Sequence, residues 1–217
     1  MSIAEIASLK EVPAMPSRRR IVPDRCILHI VNRGNDKKVI FPEPSDYAAF
    51  LVLLREARER YEVQLYGYEL MPNHFHLVTY VERPEEISAY MHWIQRVHAC
   101  DLRFLSRTKG HGHIFQRRYW SSVIEGEVHL LNVLRYVEGN ALRAGLVEAA
   151  EDWEWGSLWD RVTGERDLLH GLPFELPEDW TAIVNTPQEK MELETLRDPV
   201  RPGRPPKNTR LTQTVKM

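Results

Sequence analysis

Apolar and polar positions alternate and recur along this chain in a way that predicts most of its elements. Cys26-Ile27-Leu28-His29-Ile30-Val31 is an apolar run, stopped by the turn composition Asn32-Arg33-Gly34-Asn35, and predicts a first strand. Phe50, Leu53, Leu54 and Ala57 recur at helical spacing, with Ser45 or Asp46 as the expected cap. Val63 to Leu70 and His74 to Val81 read as two strands of a hairpin turned by Met71-Pro72-Asn73. Pro84 suits the first turn of a long helix running to about Arg107, striped by Trp93, Val97, Cys100 and Phe104. After the loop Gly110-His111-Gly112-His113, Trp120 to Ile124 predicts a fourth strand. Glu127 to Ala144 predicts a helix ended by Gly145. The order strand, helix, strand, strand, helix, strand, helix predicts an α+β sandwich, an antiparallel sheet with packed helices.

The flanks read differently. Residues 1–20 are expected to be a mobile tail carrying Arg18, Arg19 and Arg20, and residues 21–165 the single chemistry-bearing domain. Residues 166–217 are expected to form a tail, first acidic, then basic and proline-rich. A hydrophobic fraction of 43% over 217 residues supports a real core. Cys26 and Cys100 make neither a disulfide framework nor a C-x-x-C site, which fits a reducing cytoplasm. Glu5, Lys10 and Glu11 interrupt any signal-peptide run, and no stretch is apolar and long enough to span a bilayer.

The formal net charge of −2 argues against a nucleic-acid partner only as an average. From Arg96 to Arg118 Asp101 is the only acid, against Arg96, Arg103, Arg107, Lys109, Arg117 and Arg118. Local basic surface is the footprint that phosphate binding requires, although a solvated charged face has the same composition. The segment Gly112 to Trp120 mixes Arg117 and Arg118 with Phe115, Tyr119 and Trp120, a mixture suited to single-stranded DNA. An ordinary strand edge with exposed arginines would look the same.

Two further features carry chemistry. His74 and His76 lie two apart in a predicted strand, so both rings face one side and can reach one metal while Phe75 enters the core. With 9 histidines in the chain, a chance His-x-His triplet stands as the alternative. Tyr136 lies on the last predicted helix with Asn140 four residues on, on the same face. A phenol beside a metal is a workable nucleophile for a phosphodiester, and a core aromatic at that position is the plainer reading.

Four segments in order resemble one family. These are Val31-Asn32-Arg33-Gly34-Asn35, Glu69-Leu70-Met71-Pro72-Asn73-His74-Phe75-His76-Leu77-Val78, Gly112 to Ser121, and Arg135-Tyr136-Val137-Glu138-Gly139-Asn140 with Arg143-Ala144-Gly145-Leu146-Val147. Together they resemble the single-tyrosine transposases with a His-hydrophobic-His segment, in the branch called REP-associated tyrosine transposases, from about Arg18 to Arg161. The resemblance implies a ferredoxin-like fold and Mg²⁺ or Mn²⁺ on His74 and His76, with Asn140 completing the shell. It also implies Tyr136 as nucleophile, forming a 5′-phosphotyrosine and freeing a 3′-OH. The implied partner is single-stranded or hairpin DNA of palindromic repeats, with no membrane and either a monomer or a homodimer. Arg33, Asn35, His113, Gln116, Arg117, Arg118, Arg103, Arg107 and Arg143 are the candidate DNA contacts. The chain departs from the family pattern at Asn140-Ala141, where Asn-Pro is usual. Residues 1–14 precede the family's usual start near Met15-Pro16 and read as an upstream extension or a misassigned start. Two other readings stay open: a domesticated hairpin-binding protein with idle chemistry, and an RNA-binding protein on the same sandwich.

Overall fold

The structure is a computed structural model and describes residues 22–105, 113–116 and 118–188. Strand β1 covers Cys26–Arg33, β2 Val63–Met71, β3 His74–Val81 and β4 Trp120–Ile124. They form one antiparallel sheet in the order β2-β3-β1-β4. Helix α1, Pro44–Arg60, links β1 to β2, and α2, Pro84–Leu105, links β3 to β4. Each crossover joins two parallel strands across an antiparallel one, which is the expected ferredoxin-like arrangement.

Helix α1 starts slightly earlier than its sequence signals indicate. Glu43 is the N-cap, Pro44 takes the first helical position where its missing N–H costs nothing, and Glu43 N donates to Asp46 Oδ2 at 2.8 Å. Asp46 thus serves the cap from the third helical position instead of being the cap.

The two faces of the sheet have different tenants. Leu28, Ile30, Phe75 and Leu77 point to α1 and α2 and pack with Phe50, Leu54 and Ile94. The opposite face is covered by α3, Glu127–Glu138, whose Leu130, Val133, Leu134 and Val137 pack with Tyr66, Val78 and Ile124. A bulge between Leu65 and Gly67 shifts the alternation of β2. A Cβ at Gly67 would lie 2.7 Å from Leu134 Cδ2, so this glycine lets α3 settle close to the strand.

The single helix predicted from Glu127 to Ala144 is two. It stops at Glu138, passes through Gly139 (φ −92°, ψ 11°), and resumes as a short α4, Asn140–Arg143. The residue at the break has no room for a side chain: a Cβ at Gly139 would meet Arg143 Nη1 at 2.9 Å and the Arg135 carbonyl at 3.1 Å. Gly145, at φ +68°, follows in the expected C-terminal role.

Beyond residue 165 the expected tail does not begin where composition placed it. Helix α6, Trp180–Asn185, lies within it and joins α5, Ser157–Thr163, on the α3 side of the molecule. Glu138 is fully buried there and saturated: Ser157 Oγ donates at 2.7 Å and Arg161 Nε at 2.8 Å to Oε1, and Trp180 Nε1 at 2.7 Å to Oε2. A buried carboxylate needs such partners, and they bind the segment to the end of α3. A single helix of six residues is too short to show a clear period, which is why composition alone suggested a tail. Among the described residues no helix is long and apolar enough to cross a membrane.

Candidate active site

The site lies on the α3 face of the sheet, at the end of the β1 and β3 strands. His74 and His76 sit opposite Arg33 and Val31 of β1. Their ring centroids are 5.0 Å apart, while Phe75 between them is fully buried on the other face. Strand alternation therefore does what the sequence reading required of it. His76 is buried and His74 half-buried.

Burial holds both rings neutral. His74 is pushed down to about 4, by desolvation first and then by the Arg33 charge. His76 is held well below the usual histidine value, again by desolvation first, then by His29, His74 and Arg143. Each ring is tethered through Nδ1. His74 Nδ1 contacts Asn73 Oδ1 at 2.7 Å, and His76 Nδ1 contacts His29 Nε2 at 2.8 Å. A neutral imidazole tied at Nδ1 has Nε2 left for a ligand, so the donor set fits a divalent metal. Among the described residues no cluster of three or more His, Cys, Asp or Glu is arranged to hold one. Two histidines make an open site whose remaining positions would fall to oxygen donors.

Helix α3 brings Tyr136 to this face. Its ring stands edge-on to His76 at 5.7 Å and to His29 at 6.1 Å. The Arg143 guanidinium lies 4.5 Å over the Tyr136 ring, and Arg143 Nη2 donates to the Tyr136 carbonyl. Arg143 Nη1 also donates to Gln188 Oε1 at 3.2 Å. Arg143, expected at the DNA, is thus half-buried and turned toward the tyrosine. Asn140 follows the break in the helix, and its Nδ2 is buried without a hydrogen-bond partner. The shared helical face expected for Tyr136 and Asn140 is interrupted at Gly139.

Two residues of this face were not singled out from the sequence. His29 looked like one polar residue in an apolar strand, and only the β1–β3 register shows that it meets His76. Glu69, directly across from His76 on β2, is buried. Its Oε1 accepts from Ala141 N at 3.2 Å, and its Oε2 has no partner. The break at Gly139 frees that N–H from the helical ladder, and Glu69 takes it up. Desolvation raises the Glu69 carboxyl well above the usual range, the Ala141 N–H opposes this, and Glu138 adds to it. An acid in an otherwise apolar strand was the available signal.

Backbone bonds stitch three of the sequence blocks together. Gly34 N donates to Asn73 O at 2.9 Å, Asn35 N to Ile114 O at 2.7 Å, and Gln116 N to Arg33 O at 2.9 Å. Gly34 is needed because a Cβ there would lie 2.1 Å from the Lys38 carbonyl. This brings Arg33, Asn35, His113 and Gln116 to the same end of the sheet as His74, with Arg33, His113 and Gln116 exposed. Arg118 is exposed nearby in sequence, and Arg103 is exposed on the last turn of α2. Arg107 and Arg117, with the basic stretches at 18–20 and 201–217, lie outside the described residues.

Residues 23–140 match the family described as "Transposase IS200 like", which is more than half of the chain. The chain belongs to the IS200-like transposase family. The matched span covers β1 through the tyrosine helix and contains His29, His74, His76 and Tyr136. A putative REP-associated tyrosine transposase of Haemophilus influenzae is 27% identical over 136 residues, 58% of this chain and 71% of that protein. In fold, the chain resembles a REP-associated tyrosine transposase solved bound to a REP hairpin. The TM-score is 0.54 at 16% identity, covering 75% of this chain and 95% of that one. The IS200-like family thus supplies the same α+β sheet that the hydrophobic pattern predicted.

Proposed function

We propose that this IS200-like protein cuts and rejoins single-stranded DNA at the foot of palindromic-repeat hairpins, with Tyr136 as nucleophile and a Mg²⁺ or Mn²⁺ ion held on His74 and His76. The observation that carries the reading is the placement of the Tyr136 ring 5.7 Å from His76, with His74 5.0 Å beyond it on the same face. When bound, the ion polarises a phosphate oxygen and offsets transition-state charge. The Tyr136 oxygen attacks phosphorus, the bond from phosphorus to the 3′ oxygen breaks, and a phosphotyrosine ester to the 5′ end remains. The phenol gives up its proton, the departing 3′ oxygen takes one up, and the ester retains the bond free energy for rejoining to another 3′-OH. Arg143 holds the tyrosine ring and its carbonyl, so the phenol enters this step already positioned. Asn140 is proposed as a further oxygen donor to the ion through its side-chain carbonyl. Arg33, Asn35, His113, Gln116 and Arg118 are proposed to track the DNA backbone, and a hairpin with a single-stranded foot is preferred because the phosphate must be free of the duplex.

Tyr136→Phe removes one hydroxyl and tests this directly. Labelled hairpin DNA with wild-type protein should yield a denaturation-resistant adduct mapping to the Tyr136 peptide, and the variant should bind the hairpin equally but give no cleavage. Cleavage retained in Tyr136→Phe, or an adduct mapping to Tyr119, would sink the assignment. Addition of EDTA should stop the wild-type reaction, and Mg²⁺ or Mn²⁺ should restore it. Full activity in EDTA would remove the ion from the mechanism.

A further inference from the structure

His29 is buried on the central strand, and its polar ring is not explained by the chemistry above. It pairs with Val78 on β3 and Ser122 on β4, so His76, two residues before Val78, is its diagonal neighbour. The His29 and His76 ring planes are 14° apart, and His29 Nε2 lies 2.8 Å from His76 Nδ1. Trp120 stands edge-on to His29 at 5.6 Å and Tyr136 at 6.1 Å. The ring is therefore packed between neighbours and not free to turn.

A hydrogen bond between two neutral imidazoles places one proton between two nitrogens, and the structure leaves the donor to be argued. His74 supplies the comparison. Its Nδ1 faces Asn73 Oδ1, while Asn73 Nδ2 donates to the Lys37 carbonyl at 3.3 Å, so the asparagine oxygen can only accept. The His74 proton is thereby set on Nδ1 and its lone pair on Nε2. For His76 to present the same nitrogen, it needs an acceptor at its own Nδ1, and His29 Nε2 is the atom there.

We infer that His29 is a positioning residue for His76: it accepts the His76 Nδ1 proton through its own Nε2 and so keeps the Nε2 lone pair of His76 open to a ligand. Asn73 and His29 then do one job for the two histidines, one from a loop and one from the neighbouring strand. Such partners of a ligating histidine typically change metal affinity by about 10–100-fold when removed. The role rests on the two-histidine reading of the site, and two measurements separate the failure of one from the failure of the other. In the full-length wild-type protein without metal, long-range ¹⁵N–¹H spectra of histidine should show the His76 proton on Nδ1 and the His29 proton on Nδ1. A His76 proton on Nε2 overturns the inference whether or not any metal binds. In Mn²⁺ titrations followed by EPR, His29→Phe keeps the volume but accepts no hydrogen bond, and should bind about 10–100-fold more weakly than wild type. His29→Gln places an amide near Nε2 and should recover most of that loss. His29→Phe binding as tightly as wild type, or His29→Gln binding as weakly as His29→Phe, would reduce His29 to a packing residue. No Mn²⁺ uptake by wild type would overturn the two-histidine reading itself and with it the link from His29 to a metal. If His29→Phe fails to fold, the wild-type spectra decide.

Discussion

The two faces of one sheet have been put to opposite uses. On the α1–α2 face, Leu28, Ile30, Phe75 and Leu77 belong to one large apolar cluster and the role is cohesion. On the α3 face the sheet carries His29 on β1, His74 and His76 on β3, and Glu69 on β2. Adjacent residues therefore differ completely in consequence, because a strand turns each successive side chain to the other side. Rigidity from one face holds the proposed site on the other in register. A site built on strands of a packed sheet is held more tightly than one built on loops.

The neighbours Phe75 and His76 test this division most sharply. His76→Ala should lower metal-dependent cleavage on the order of 10³-fold, since a metal's charge stabilisation is worth several kcal/mol, while leaving hairpin affinity in EDTA unchanged. Phe75→Ala should instead destabilise the fold by about 3–5 kcal/mol in denaturant titrations, and its cleavage rate should follow the folded fraction. If His76→Ala cost stability as Phe75→Ala does, the histidine would be structural and the division of faces wrong.

A buried histidine on the cohesive side gives the next effect. His98 donates from Nε2 to the Ile40 carbonyl at 2.9 Å among Phe41, Phe50 and Phe115, and desolvation lowers it to about 4 against the opposing pull of that hydrogen bond. Between about 4 and the ordinary value of 6.5 the unfolded chain binds a proton that the folded chain does not. Stability therefore rises with pH through this window, and acidification from pH 7 to 4 removes roughly 3 kcal/mol through this group alone. His98→Gln keeps a donor for Ile40 and should flatten part of that dependence in thermal melts. An unchanged pH profile would assign the acid sensitivity to other groups.

The smallest effect concerns the rim. Arg33 and Arg118 are exposed, and each, if it meets one phosphate, should contribute about one to the slope of log affinity against log salt. Arg33→Ala and Arg118→Ala should each flatten that slope by about that amount with little change in melting temperature. A slope unaltered in both would move the DNA path away from this end of the sheet.

Local sequence determined the elements and most of the proposed site. Apolar runs, helical spacing and turn residues placed four strands and the long helices, because side-chain period and turn conformation depend on near neighbours. His74 and His76 were legible as a pair for the same reason, since two residues apart on a strand means one face wherever the strand lies. Tyr136, the proposed nucleophile, was legible only through the resemblance of four ordered blocks, as a tyrosine on a helix has no local mark of such a role. Tertiary structure alone decided what depended on register and close approach. The pairing of β1 with β3 made His29 a partner of His76 across 47 positions, and the predicted helix breaks at Gly139, where a Cβ would crowd Arg143 and the Arg135 carbonyl. The burial of Glu138 drew Trp180 and the segment expected to be a tail onto the tyrosine helix. Such contacts join residues far apart in the chain, and no window of neighbouring residues contains the information that selects them.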